Sequence, residues 1–197
     1  QGRKVGHAMM SIDDIKADPH RFQYKVSGID QTTGTNGELK KVKEYNPSLG
    51  GQLLVWHDQE DGKTYVVNGH HRHELATRSP RSDEIGKFSG HVPVYYVNAK
   101  DHVEARAAGA LANIAEGRGT ATDAARFMRD MGIGLEDFEQ YGVSPKGAVA
   151  QAALDLKQLR PTLFQKLSNG MLTEHRAQVI GRYLPNEDAQ DQLFKWI

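Results

Sequence analysis

At 197 residues and 38% hydrophobic side chains, the chain is long enough to bury a real core, either as one large domain or as two small lobes. Lys+Arg and Asp+Glu both number 25, so no global basic field advertises nucleic acid, and any DNA contact has to be local. With no cysteine, disulfides, thiolate metal sites and cysteine nucleophiles are excluded, and no apolar run approaches the roughly 20 residues of a membrane span.

These bounds predict a cytoplasmic protein with no membrane partner. The first residue is Gln1 rather than Met, which predicts a piece of a larger polypeptide. Along the chain, AMMSIDDIK at 8–16 reads as a short strand running into a turn, stopped by Asp18-Pro19. The glycine- and threonine-rich stretch 26–38 lacks periodicity and reads as a loop, of a kind that often serves as a lid. GQLLVWHD and KTYVVNG are two strand-like runs joined through Asp61-Gly62, the dipeptide that suits a hairpin turn. HHRHELATR has helix-forming content, and HVPVYYV at 91–97 is the next strand, dominated by β-branched and aromatic residues. In these strands Trp56, Tyr95 and Tyr96 read as packing residues, with His57 and His91 at the surface.

From Asp101 the pattern turns helical. Val103, Ala107, Leu111 and Ile114 recur at spacings of three and four, one helix face, ended by Gly117 and Gly119. Thr120 or Thr122 caps a second helix that Gly132 closes. The expected fold is therefore α+β, with a mixed sheet and helices at 1–100, linking helices at 101–134 and an all-helical region at 135–197.

Residues 66–78, VVNGHHRHELATR, place three histidines and an arginine where a strand gives way to a helix. Free backbone N–H groups and the positive end of the helix dipole meet at such a turn, which attracts an anion. Gly69 lets a phosphate approach the backbone, Arg72 offers a planar fork of donors, and Asn68, His70 and His71 add hydrogen-bonding groups. Two alternatives stand beside this: a zinc site on His70, His71 and His73, which lacks the i, i+4 spacing of helical zinc pairs, and a purely structural turn.

After Gly134, LEDFEQYG is a short helical piece, VSP a tight connection, and KGAVAQAALDLKQL an alanine-rich second helix. That is the pattern of a helix-turn-helix, the alternative being an ordinary helical hairpin. In it Ser144, Lys146 and Gln151 face DNA while Val149, Ala153 and Leu156 pack inward.

The order of these pieces resembles the ParB/sulfiredoxin fold, and ParB in particular. The strand–Gly69-His70-His71-Arg72–helix element is similar to that fold's phosphate-binding turn, and residues 135–194 are similar to the ParB helix-turn-helix and its following helices, including Leu167-Ser168-Asn169-Gly170-Met171-Leu172. The family's usual Gly-Glu-Arg-Arg is Gly-His-His-Arg here, and its acidic-Asn-x-x-Arg motif is Ala112-Asn113-Ile114-Ala115-Glu116. Asn113 matches the metal-facing asparagine. Glu116 or Glu104 then supplies the oxygen ligand and Arg118 the lost positive charge. The Gly-His-His-Arg version looks most like ParB-like domains of phages and mobile elements. Sulfiredoxin chemistry is excluded, because it needs a cysteine.

The resemblance implies a DNA-binding protein, homodimeric or part of a longer chain, that binds CTP or ATP with Mg2+ or Mn2+ held by Asn113 and Glu116, with slow NTPase turnover. A second expectation is a metal-dependent nuclease with His71 and Glu116 as catalytic residues, the metal held by Glu104, Glu116 or Asp123 and a histidine of the 70–73 cluster acting as acid or base, and a third is a small-molecule kinase.

Overall fold

A computed structural model describes residues 3–22, 44–117, 119–144, 147–184 and 187–194, so the 26–38 stretch and Arg118 lie outside the described residues. The chain divides into two compact units, Gln1–Gly109 and Ala110–Ile197.

The first unit holds a five-stranded sheet. Its strands are β1 (Gly6–Ser11), β2 (Ile15–Lys16), β3 (Leu53–His57), β4 (Thr64–Asn68) and β5 (His91–Tyr96), in the order β1-β5-β3-β4-β2. The sheet is mixed: β1 with β5 and β3 with β4 run antiparallel, β3 with β5 and β2 with β4 parallel. The β3–β4 hairpin closes through Asp61-Gly62, with Gly62 at a φ of 71° and the Asp58 amide bonded to the Lys63 carbonyl at 2.9 Å.

Both faces of the central strands are covered, which explains why β3 and β4 read as nearly continuous apolar runs rather than alternating ones. On one face Val55, Val66, Val92 and Val94 pack with Ala76 of α2 (His70–Arg78). On the other, Trp56, Tyr65 and Val67 pack with Phe22 of α1 (Pro19–Phe22) and Ala105 of α3 (His102–Ala115). Trp56 and Tyr96 are buried, and the Trp56 indole donates to the Ala99 carbonyl at 3.0 Å, so the packing role holds for both. His91 is exposed, whereas His57 is half-buried against the Thr64 hydroxyl.

The second unit is helical. It contains the end of α3 and then α4 (Ala121–Met131), α5 (Gly147–Lys157), α6 (Pro161–Ser168), α7 (Glu174–Tyr183) and α8 (Glu187–Phe194). α4 starts with a reciprocal cap: the Thr120 side chain accepts from the Asp123 amide while the Asp123 carboxylate accepts from the Thr120 amide. Gly132, left-handed at a φ of 66°, ends it.

The piece expected as a short helix is a 3₁₀ segment, Glu136–Tyr141, ended by left-handed Gly142. Phe138 pins it: the ring is fully buried, 5.0 Å from that of Phe127 on α4. α5 packs against α4 and α7. Its contact with α7 is close because residue 181 is glycine; a Cβ there would lie 1.9 Å from the Asp155 carbonyl oxygen.

Candidate functional site

β4 delivers Val66 and Val67 into the core, and the chain then reverses at Gly69, whose φ of 96° is left-handed. A Cβ on residue 69 would also meet Leu53 Cδ2 at 2.7 Å, so the dihedral favours glycine and any side chain would have to displace that methyl. α2 begins at once. Gly69 has no side chain to cap the helix, and no acidic residue stands in the first turn, so the positive end of the helix dipole is left without a local countercharge.

Arg72 lies across this turn. Its Nη1 donates to the Gln52 carbonyl at 2.5 Å, and its guanidinium carbon is 3.6 Å from where a Gly69 Cβ would be. On the other side Nη1 is 3.0 Å from the Cβ position of Gly51. Two glycines thus make the slot that the guanidinium occupies. No carboxylate pairs with Arg72 among the described residues. Tyr45 borders the same place: burial raises its hydroxyl pKa, and the charge of Arg72 opposes that rise.

The histidines separate into three roles. His70 is 5% exposed, and its Nε2 has no hydrogen-bond partner among the described residues. Burial, assisted by the charges of His73 and His71, lowers its pKa to about 3, so it is neutral at physiological pH. His71 is half-exposed, with burial lowering its pKa and Glu74 opposing that. His73 is structural: its Nε2 donates to the Ile15 carbonyl at 2.9 Å and ties α2 to β2. Three rings with such different surroundings do not make a zinc site. Among the described residues no group of three or more His, Cys, Asp or Glu is placed to hold a metal. The Asn68 amide, half-buried, donates to the Gly109 carbonyl at 3.4 Å.

Nothing in the local pattern of GQLLVWHD, a strand-like run, marks Gly51 or Gln52 as part of a site. The structure brings both Gly51 and Gln52 onto Arg72, and the Gly50-Gly51 pair was the one signal in the sequence that a bulky group had to be accommodated there.

In the second unit, Asn113 is half-buried on the last turn of α3 and Glu116 is exposed just beyond it. The Gly119 amide donates to the Asn113 carbonyl at 2.8 Å, folding the segment into a tight loop. The two side chains carry an amide and a carboxylate oxygen three residues apart, oxygen donors of the kind Mg2+ takes but too few for a complete protein cage.

Ser144, which precedes α5, and Gln151, in its first half, are exposed; Lys146 lies outside the described residues. Ala153 and Leu156 are buried as expected, but Val149 is not: it is 42% exposed. It shares their side of the helix, yet it stands in the first turn, where no neighbouring element covers it among the described residues. Gly147, Ala148, Val149 and Gln151 consequently present a low, solvent-facing surface.

No protein-family model matches the chain, and no curated relative does. Among solved structures it is similar to the C-terminally truncated chromosome-partitioning protein ParB from Caulobacter crescentus complexed with CTP-gamma-S. That match covers 96% of this chain and 99% of the other at 16% sequence identity and a TM-score of 0.39. The likeness is loose and assigns no residue a role.

Proposed function

We propose that this chain is a ParB-like DNA-binding protein that holds the phosphates of a nucleoside triphosphate, CTP or ATP, at the Asn68–Arg72 turn. The observation that carries the reading is the anchoring of Arg72 by a backbone carbonyl instead of a carboxylate. A carboxylate would fix the guanidinium and also cancel its field. A carbonyl fixes it and leaves the charge for an anion, beside an uncapped helix start and a glycine that admits close approach. His70 and His71 add hydrogen-bonding capacity without a full charge at neutral pH.

Within the second unit, Mg2+ or Mn2+ is assigned to Asn113 and Glu116, which would hold it through an amide and a carboxylate oxygen. The turn supplies positioning and charge rather than an activated base, so hydrolysis is slow. DNA contact is assigned to the helix-turn-helix formed by Glu136–Tyr141 and α5, through Ser144, Lys146 and Gln151. Because the chain has equal numbers of acidic and basic residues, avidity from two copies is expected to sustain binding, as a homodimer on two half-sites.

Titration of fluorescent CTP and ATP tests the phosphate reading. Wild type binds, and Arg72→Ala loses roughly 10- to 100-fold in affinity, the range for a charge-assisted bidentate contact. Arg78→Ala, which removes the partner of Glu74 at the other end of α2, leaves affinity unchanged. Equal and negligible binding by wild type and Arg72→Ala sinks the proposal.

A further inference from the structure

Asp155 is a buried acidic residue in the last turn of α5, 5% exposed, and the assigned function does not use it. Both of its oxygens are engaged. Oδ2 accepts from Nε and Nη2 of Arg182 on α7 at 3.0 and 2.7 Å, and Oδ1 accepts from Nε2 of Gln151 at 3.1 Å. Gly181 lets the two helices approach closely enough for this. Arg182 and Gln151 are both exposed, so one buried carboxylate holds two surface side chains from two helices.

The chemistry of that carboxylate settles which way the Gln151 amide faces. An ionised Asp can only accept, so the NH2 end of Gln151 must turn toward it and the carbonyl end away. The Gln151 carbonyl oxygen has no partner among the described residues. Arg182 gives the buried carboxylate its compensating charge.

We propose that Asp155 is a positioning residue for base recognition: it locks Gln151 with its amide oxygen toward DNA, an acceptor for the exocyclic amine of adenine or cytosine in the major groove. This rests on the assignment of α5 to DNA. A free glutamine reads donor or acceptor by flipping its amide, whereas a locked one discriminates. Asp155 therefore sets sequence preference at one base pair without touching DNA, while the charges that bind phosphates lie elsewhere.

The test selects randomised duplexes on the full-length chain and on Asp155→Asn, Gln151→Ala and the double variant. Wild type enriches A or C at one position per half-site. Asp155→Asn and Gln151→Ala each lose that preference by roughly tenfold, and in Asp155→Asn affinity for a scrambled duplex and its salt dependence stay unchanged. The double variant loses no more than either single one, since both act through the same amide. Additive losses, or weakening equal for all sequences, overturn the inference while leaving the DNA assignment standing; no DNA binding by wild type overturns both.

Hydrogen exchange of the side-chain amides in the wild-type protein supplies a readout independent of whether Asp155→Asn folds. The Gln151 NH2 exchanges more slowly than that of exposed Gln158 on the same stretch. Equal rates overturn the proposal.

Discussion

Acidification from pH 7 to pH 4 is expected to strip several kcal/mol from the stability of the unit that contains α2. The imidazole of an unfolded chain takes up its proton near pH 6.5, whereas folded His70 resists it down to about pH 3. Between those values the unfolded state binds a proton that the folded state does not, so stability rises with pH there. The contribution is fully present above pH 6.5 and declines by up to about 1.4 kcal/mol per pH unit as pH falls. Over the whole window that amounts to about 5 kcal/mol, comparable with the net stability of a small domain. Burial moves His71 and His73 the same way, so the loss is steepened.

Replacing His70 with leucine isolates the cause. The substitution removes an unpartnered buried nitrogen, so at pH 7 the variant is expected to gain about 1 kcal/mol, and its denaturation midpoint flattens between pH 6.5 and 4. Urea denaturation in a Trp196→Phe background, followed by tryptophan fluorescence, reads both effects through Trp56. A wild-type midpoint that stays constant across this window excludes the burial account. Inorganic triphosphate is expected to shrink the acid sensitivity, because an anion beside the turn favours the imidazolium and raises the folded pKa of His70.

Gly181→Ala is the second large effect, expected in the helical unit. The added methyl would sit 1.9 Å from the Asp155 carbonyl oxygen and 2.7 Å from its carbon, and backbone atoms cannot swing aside as a side chain does. α7 has to move off α5. Overpacking of this kind costs about 3 kcal/mol, and it also pulls Arg182 from Asp155, leaving a buried carboxylate without its cation. Thermal unfolding by circular dichroism should show a helical transition many degrees lower. A melting temperature within a degree of wild type would mean that the helices are not in contact there.

Several elements were readable before any fold was known because their causes are local. Asp61-Gly62 makes a hairpin turn from the backbone freedom of the glycine, and Thr120 with Asp123 caps a helix through bonds spanning three residues. Gly69 was readable as the bend between strand and helix for the same reason. The helix face of Val103 to Ile114 follows from its spacing. Where neighbours beyond a few residues decide, the reading weakened: Val149 has the spacing of an inward residue, but exposure depends on where the adjoining helices end. Glu136–Tyr141 has helical content, and its 3₁₀ winding accompanies Phe138 being anchored under Phe127.

The sequence by itself determined the order of strands and helices, the glycine that bends the chain into α2, and the presence there of one arginine among three histidines. Those follow from dihedral preferences and hydrophobic period, which act within a turn or two. Only the tertiary structure decided that Arg72 rests on the Gln52 carbonyl rather than on an acid, that the Nε2 of buried His70 finds no partner among the described residues while His73 is spent on Ile15, and that Asp155 joins Gln151 to Arg182. The contacts of Arg72, His73 and Arg182 link residues 20 to 58 positions apart. What brings those residues together, and what leaves His70 enclosed, is the burial of sheet and helix faces against one another, a collective result that no short stretch of sequence carries.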